Sequence, residues 1–126
     1  MSYSRWRDGD LWPAFRGAML KAHVDLTSEA LEKARKYNFQ RYHSQGIGRY
    51  APAEVYARGL ADLEVLAELT PDRGFFFGGD ATSTDAALYG FIANIHFFEI
   101  YTPLKRFVDA RSNLVRHSEL LHRLAA

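Results

Sequence analysis

Apolar side chains recur every three to four positions over most of the chain, the spacing of helices that bury one face. Leu11 to about Ala22 carries Trp12, Phe15 and Met19 at that spacing, with Asp10 ahead of it. Pro13 falls in its first turn, where a missing amide costs no intrahelical bond. A second helix is expected from Thr27 or Ser28 to about Tyr42, with Ala30, Ala34, Tyr37 and Arg41 along one face. It is the least apolar of the set. Gly46 and Gly48 interrupt the chain, and Pro52 with Glu54 restarts it as proline and a first-turn acid do at helix N-termini. Tyr56, Gly59, Leu60, Leu63, Leu66 and Ala67 then follow the i, i+3, i+4, i+7 pattern of a helix running through Leu69.

From Thr82 to about Ile100 the chain is apolar nearly all round, which on a helix of this length predicts enclosure on every side. Thr82 and Asp85 have the N-cap and N3 spacing of a capping box, with Asp in place of the usual Glu, so two orphan amides find side-chain acceptors. Ala81 and Ala86, the staple positions flanking that box, are too small for a strong hydrophobic staple. Thr102 and Pro103 supply a cap and first position for a short helix to about Ala110. Asn113 is expected to cap the last helix, which aligns Leu114, Ser118, Leu121 and Ala125 on one stripe. The expected architecture is all-α, a single bundle of about six helices over residues 1–126 with no strand.

The 126 residues fit one domain with one core. Sixteen basic against fifteen acidic side chains leave a net charge of +1, which gives no reason to expect nucleic acid or an anionic membrane surface. The complete lack of cysteine excludes disulfides, thiolate metal sites and a cysteine nucleophile within the chain, and fits a cytoplasmic protein. The longest apolar region, Ala86 to Phe98, is interrupted by Gly90, Asn94 and His96 and is too short to span a bilayer. No charged-then-apolar leader opens the sequence, so a soluble chain without a membrane partner is expected.

Five histidines raise the question of a metal, but none forms an i, i+4 ligand pair, and His117 and His122 are five apart. No metal is expected. Arg5-Trp6-Arg7-Asp8, followed by Trp12, gathers two cations and two indoles into one short stretch. Such a set either binds a peptide-like or aromatic ligand by stacking and bidentate pairing, or anchors the N-terminal segment to the bundle. Ser44 beside His43 is no nucleophile-base pair, because adjacent positions diverge. Gly46-Ile47-Gly48 lacks the strand and third glycine of a dinucleotide loop and reads as turn chemistry.

The run Phe75-Phe76-Phe77-Gly78-Gly79-Asp80-Ala81-Thr82-Ser83-Thr84-Asp85 resembles the Phe-Leu-x-Gly-Asp-x-x-Thr-x-Ala-Asp pattern that opens the core helix in the C-terminal domain of the glutathione transferase superfamily. Thr84 stands where that family often has Ala. Tyr50 to Leu69, Tyr101 to Phe107 and Ser112 to Val115 resemble the neighbouring helices. With Arg5-Trp6-Arg7-Asp8 and Gly46-Ile47-Gly48-Arg49, the chain is most similar to the branch containing the metaxin and failed-axon-connections proteins and their bacterial relatives.

The resemblance implies glutathione as co-substrate, with the thiol activated by a thioredoxin-like domain that this sequence does not contain. The chain alone is therefore expected to be inactive. Its implied part is the electrophile-side pocket, for which Trp12, Phe15, Arg16 and Met19 are the candidates. His96 is either a core histidine satisfied by the backbone or a side chain facing the cleft that the thioredoxin-like domain would close. A homodimer is the expected assembly. The competing readings are a non-catalytic interaction or dimerisation module and a binder of apolar small molecules.

Overall fold

A computed structural model describes residues 2–125. They form seven α-helices: α1 (Ser2–Trp6), α2 (Trp12–Ala22), α3 (Ser28–Ser44), α4 (Pro52–Leu69), α5 (Ser83–His96), α6 (Pro103–Asp109) and α7 (Ser112–Ala125), with a 3-10 turn at Ile47–Arg49. The described residues include no strand, and a single isolated bridge joins Phe75 to Gly78. No helix among them is long and apolar enough to cross a membrane. The chain packs as two compact units, Met1–Val55 and Tyr56–Ala126, and α4 runs through the boundary.

In the first unit, the core is built on aromatic rings. Tyr3, Trp12, Phe15, Leu31 and Tyr42 are buried. Trp6 meets Phe15 edge-on at 5.0 Å between centroids and Trp12 at 5.9 Å, distances at which ring pairs add to plain area burial. Helix α1, absent from the sequence reading, exists because it lays Tyr3 against Tyr42 and brings Trp6 into this cluster. Thr27 caps α3 by accepting the Ala30 amide at 3.1 Å.

The buried stripe of α3 differs from the expected one. Leu31, Asn38 and Tyr42 face inward, and Tyr37 is 65% exposed. A buried amide was not anticipated there; Asn38 is tolerated because its Nδ2 donates to the Ala34 carbonyl at 2.9 Å, within its own helix. Beyond α3, Gly46 takes φ +90°, a conformation that glycine adopts without cost. A Cβ at Gly48 would lie 2.8 Å from the His43 nitrogen, so the turn folds back onto the helix end only because position 48 has no side chain.

In the second unit, Leu63, Leu88, Ile92, Ile95, Leu104, Val108, Leu114 and Leu121 form the core. Close approach of α4 and α6 depends on Gly59, where a Cβ would stand 3.1 Å from a Leu104 methyl. The enclosure expected for α5 is not observed. Asp85, Leu88, Ile92 and Ile95 are buried along one stripe, whereas Phe91 is 62% exposed and Ala86, Ala87, Gly90 and Asn94 are exposed with it. One inward stripe suffices because much of the rest of the helix is small side chains with little area to bury. The helix also ends at His96, four residues before the expected Ile100. Lys105 Nζ donates to the His96 carbonyl there, and the side chain of His96 is drawn toward α6.

Asn113 is not the cap of α7 but lies within its first turn. Its Nδ2 donates to the carbonyls of Ala67 at 2.7 Å and Thr70 at 2.9 Å, and its Oδ1 accepts the Leu114 amide at 3.0 Å. The side chain thus closes the C-terminal end of α4, whose last carbonyls have no intrahelical partner.

Candidate functional site

Within the first unit, cations and rings alternate. Arg35 stacks over Trp12 at 4.5 Å and over Phe39 at 5.2 Å, and its Nε donates to the Trp6 carbonyl at 3.2 Å. Arg7 stacks over Phe39 at 4.4 Å. Guanidinium groups held this way keep their N–H edges available for a planar acceptor. Beside this stack is an open cavity of about 560 Å³, lined by Arg7, Phe39, Gln40, His43, Ser44 and Gly48. Gln40, His43 and Ser44 occupy i, i+3 and i+4, hence one face of α3. No hydrogen bond joins His43 to Ser44, so the two line a cavity without forming a catalytic pair.

The candidates suggested by the family resemblance are distributed as follows. Trp12 and Phe15 are buried in the aromatic core, with Trp12 Nε1 donating to Glu32 at 3.2 Å. Arg16 points outward, donating to Ser28 Oγ at 2.8 Å and lying 3.9 Å from Glu32. Met19, one turn further on, lines a second open cavity of about 610 Å³ with Ala22, His23, Val24, Asp25 and Leu26.

His96 belongs to the second unit. Its Nδ1 is 2.7 Å from Asp109 Oδ1, and Lys105 lies 3.6 Å from the other carboxylate oxygen. The ring meets Phe97 edge-on at 4.8 Å, and Phe97 in turn meets His122, whose Nδ1 is 2.7 Å from the Tyr89 hydroxyl. Among the described residues, no group of three or more His, Cys, Asp or Glu side chains is placed to hold a metal.

Thr82 and Asp85 form both halves of the capping box. Asp85 does more than cap. Its Oδ2 accepts the Thr82 amide at 2.9 Å and hydroxyl at 2.8 Å; its Oδ1 accepts the Phe76 amide at 3.0 Å and His117 Nε2 at 2.9 Å. Burial alone would raise the carboxyl pKa. The hydrogen bonds from His117, the Phe76 amide and Thr82 outweigh it and hold the group well below the ordinary carboxylate range. Because an ionised carboxylate only accepts, His117 Nε2 carries the hydrogen. Phe76 closes over the imidazole edge-on at 5.6 Å, and Arg116 donates to the Pro71 and Gly74 carbonyls. One carboxylate therefore ties the Phe75–Gly78 turn, the start of α5 and the middle of α7 together.

Sequence reasoning missed the Arg7 cavity and the His117 partner. Arg7 and Phe39 are 32 positions apart, as are Asp85 and His117, and helical periodicity carries no signal at that separation. The only available signals were local: the Arg-Trp-Arg run, and a second glycine beyond what a single turn requires.

The glutathione S-transferase C-terminal domain pattern matches residues 59–121, half of the chain and all within the second unit. Failed axon connections of Drosophila melanogaster is 28% identical over 81 residues, which cover 62% of this chain and 19% of that protein. The chain thus spans about a fifth of the length of that relative. No solved structure matches it. On that match over half of its length, the chain belongs to the glutathione S-transferase C-terminal domain family.

Proposed function

We propose that the chain contributes the electrophile-side pocket to glutathione conjugation, acting with a thioredoxin-like domain that binds glutathione and activates its thiol. Family membership over residues 59–121 is the observation that carries this reading. Trp12, Phe15, Arg16 and Met19 of the first unit are proposed to serve the electrophile side, and His96 of the second unit is proposed separately to face the thioredoxin-like domain. The isolated chain is expected to show no protein-dependent conjugation of glutathione to an aryl halide, since it has no cysteine and a helical domain has no thiol-activating site of the thioredoxin-like kind. Fusion behind a thioredoxin-like domain of an active transferase should restore conjugation, and Met19→Ala or His96→Ala in that fusion should change the KM for the aryl halide more than that for glutathione. Turnover by the isolated chain, or a fusion indifferent to all five positions, would refute it.

A second reading, a dimerisation or interaction module, is favoured by the exposure of Leu69, Phe77, Phe91, Tyr101 and Leu124 in the second unit. Exposed apolar area of this kind is what self-association or a partner protein covers.

A further inference from the structure

The cavity beside Phe39 lies outside the residues matched to the family and contains none of the proposed pocket residues. Four of its lining residues carry polar side chains: Arg7, Gln40, His43 and Ser44. None of these side chains has a hydrogen-bond partner among the described residues. Its lining includes no acidic side chain. Phe39 and the backbone at Gly48 form the remaining wall, and the volume of about 560 Å³ falls in the range of small-molecule sites.

Electrostatics define the occupant. The Arg7 guanidinium carbon sits 4.4 Å from the Phe39 ring centroid, and its planar, always-charged group carries the fork of donors that pairs with a carboxylate through two parallel hydrogen bonds. The site adjoins the C-terminal end of α3, where the helix dipole opposes negative charge. Part of that opposition is removed locally, because the His43 carbonyl already accepts the Gly46 amide at 3.1 Å and Arg49 Nε at 3.0 Å. Arg7 is the cation of the lining, while the Nε atoms of nearby Arg35 and Arg49 donate to the Trp6 and His43 carbonyls; one bidentate fork at a helix C-terminus suits a planar monoanion over a phosphate dianion, which is better served by helix N-termini and several cations.

We propose that this cavity binds a small molecule through its carboxylate, with Arg7 as the bidentate partner and Gln40, His43 and Ser44 as flanking donors. The site acts independently of glutathione conjugation.

The test is a titration of the ¹⁵N-labelled full chain with benzoate, benzyl alcohol and inorganic phosphate in parallel, read by the Arg7 Nε–H and the Ser44 and Gly48 amide resonances. Benzoate should shift these signals saturably, benzyl alcohol should leave them in place, and phosphate should bind more weakly than benzoate. Arg7→Gln should weaken benzoate binding by about ten-fold or more, and Arg7→Lys, which keeps the charge but not the fork, should recover only part of it. If Arg7→Gln loses its dispersed spectrum, Ser44→Ala at the exposed rim replaces it and should weaken binding several-fold. Equal responses to benzoate and benzyl alcohol, tighter binding of phosphate, or wild-type affinity in the folded variants would overturn the proposal.

Discussion

Asp85 is fully buried and His117 is 1% exposed, yet each polar atom of the carboxylate has two donors, so the usual penalty for a buried charge is offset. Removing the carboxylate deprives three elements at once. Asp85→Ala is expected to destabilise by about 3 kcal/mol or more, because it adds buried, unpartnered donors at Phe76 and His117, about 1–3 kcal/mol each, to the loss of a cap. Asp85→Asn should cost less but still above the cap range, since its amide group must turn one donor toward other donors. Urea unfolding of the variants checks both. The pH dependence follows from the depressed carboxyl: the stabilisation is fully present above the ordinary carboxylate pKa of about 4 and is lost as pH falls toward the lower folded value. Wild-type stability should therefore fall below about pH 4 with a slope that Asp85→Asn lacks. Parallel curves for the two proteins would show that folding does not depress the Asp85 carboxyl.

At the scale of the element, helix ends rather than helix interiors decide the fold, and two of them give opposite lessons about what a sequence displays. The capping box at Thr82 is a local pattern, four residues long, and was legible for that reason. The role of Asn113 was not, because its acceptors, the Ala67 and Thr70 carbonyls, are more than forty positions away. The two roles differ in what they tolerate. An N-cap accepts Asp as readily as Asn, whereas a side chain donating to two carbonyls does not. Asn113→Asp is thus expected to destabilise more than Asn113→Ala, which itself should cost about 1–2 kcal/mol by leaving those carbonyls short of a donor. Thermal unfolding of the pair decides it; a milder Asp variant would restore the capping role. Gly48 provides a similar check on the turn after α3. Gly48→Ala places a methyl 2.8 Å from backbone that cannot move freely, so a loss of about 1–3 kcal/mol is expected, and a neutral substitution would mean the turn lies further from the helix.

Across the whole molecule, periodicity placed the helices from α2 to α7 but misjudged how two of them are covered. Composition reports that α5 is apolar, not which of its sides meets a neighbour, and α3 hides an amide that its sequence would have put outside. The same gap affects assembly. Phe77 stands 75% exposed in the short turn that Gly74 and Gly78 make possible with positive φ, and that turn is fixed from behind by Asp85 and Arg116. A ring carried on a turn whose backbone is tied down in this way loses less conformational freedom on being covered than one on a long free side chain, the property that makes aromatic residues effective anchors at interfaces. Phe91 projects from α5 among small side chains, so a facing surface could approach that helix closely. The chain is accordingly expected to sediment as a two-fold dimer at micromolar concentration, since closed pairing covers the same patch on both copies. Phe77→Ser and Phe91→Ser leave the buried stripe of α5 intact and should shift the population toward monomer without lowering the unfolding temperature by more than a few degrees. A monomeric wild-type protein that also fails to bind an apolar dye would rule out both the dimer and the interaction-module reading. A dimer unaffected by either substitution would move the interface to another face.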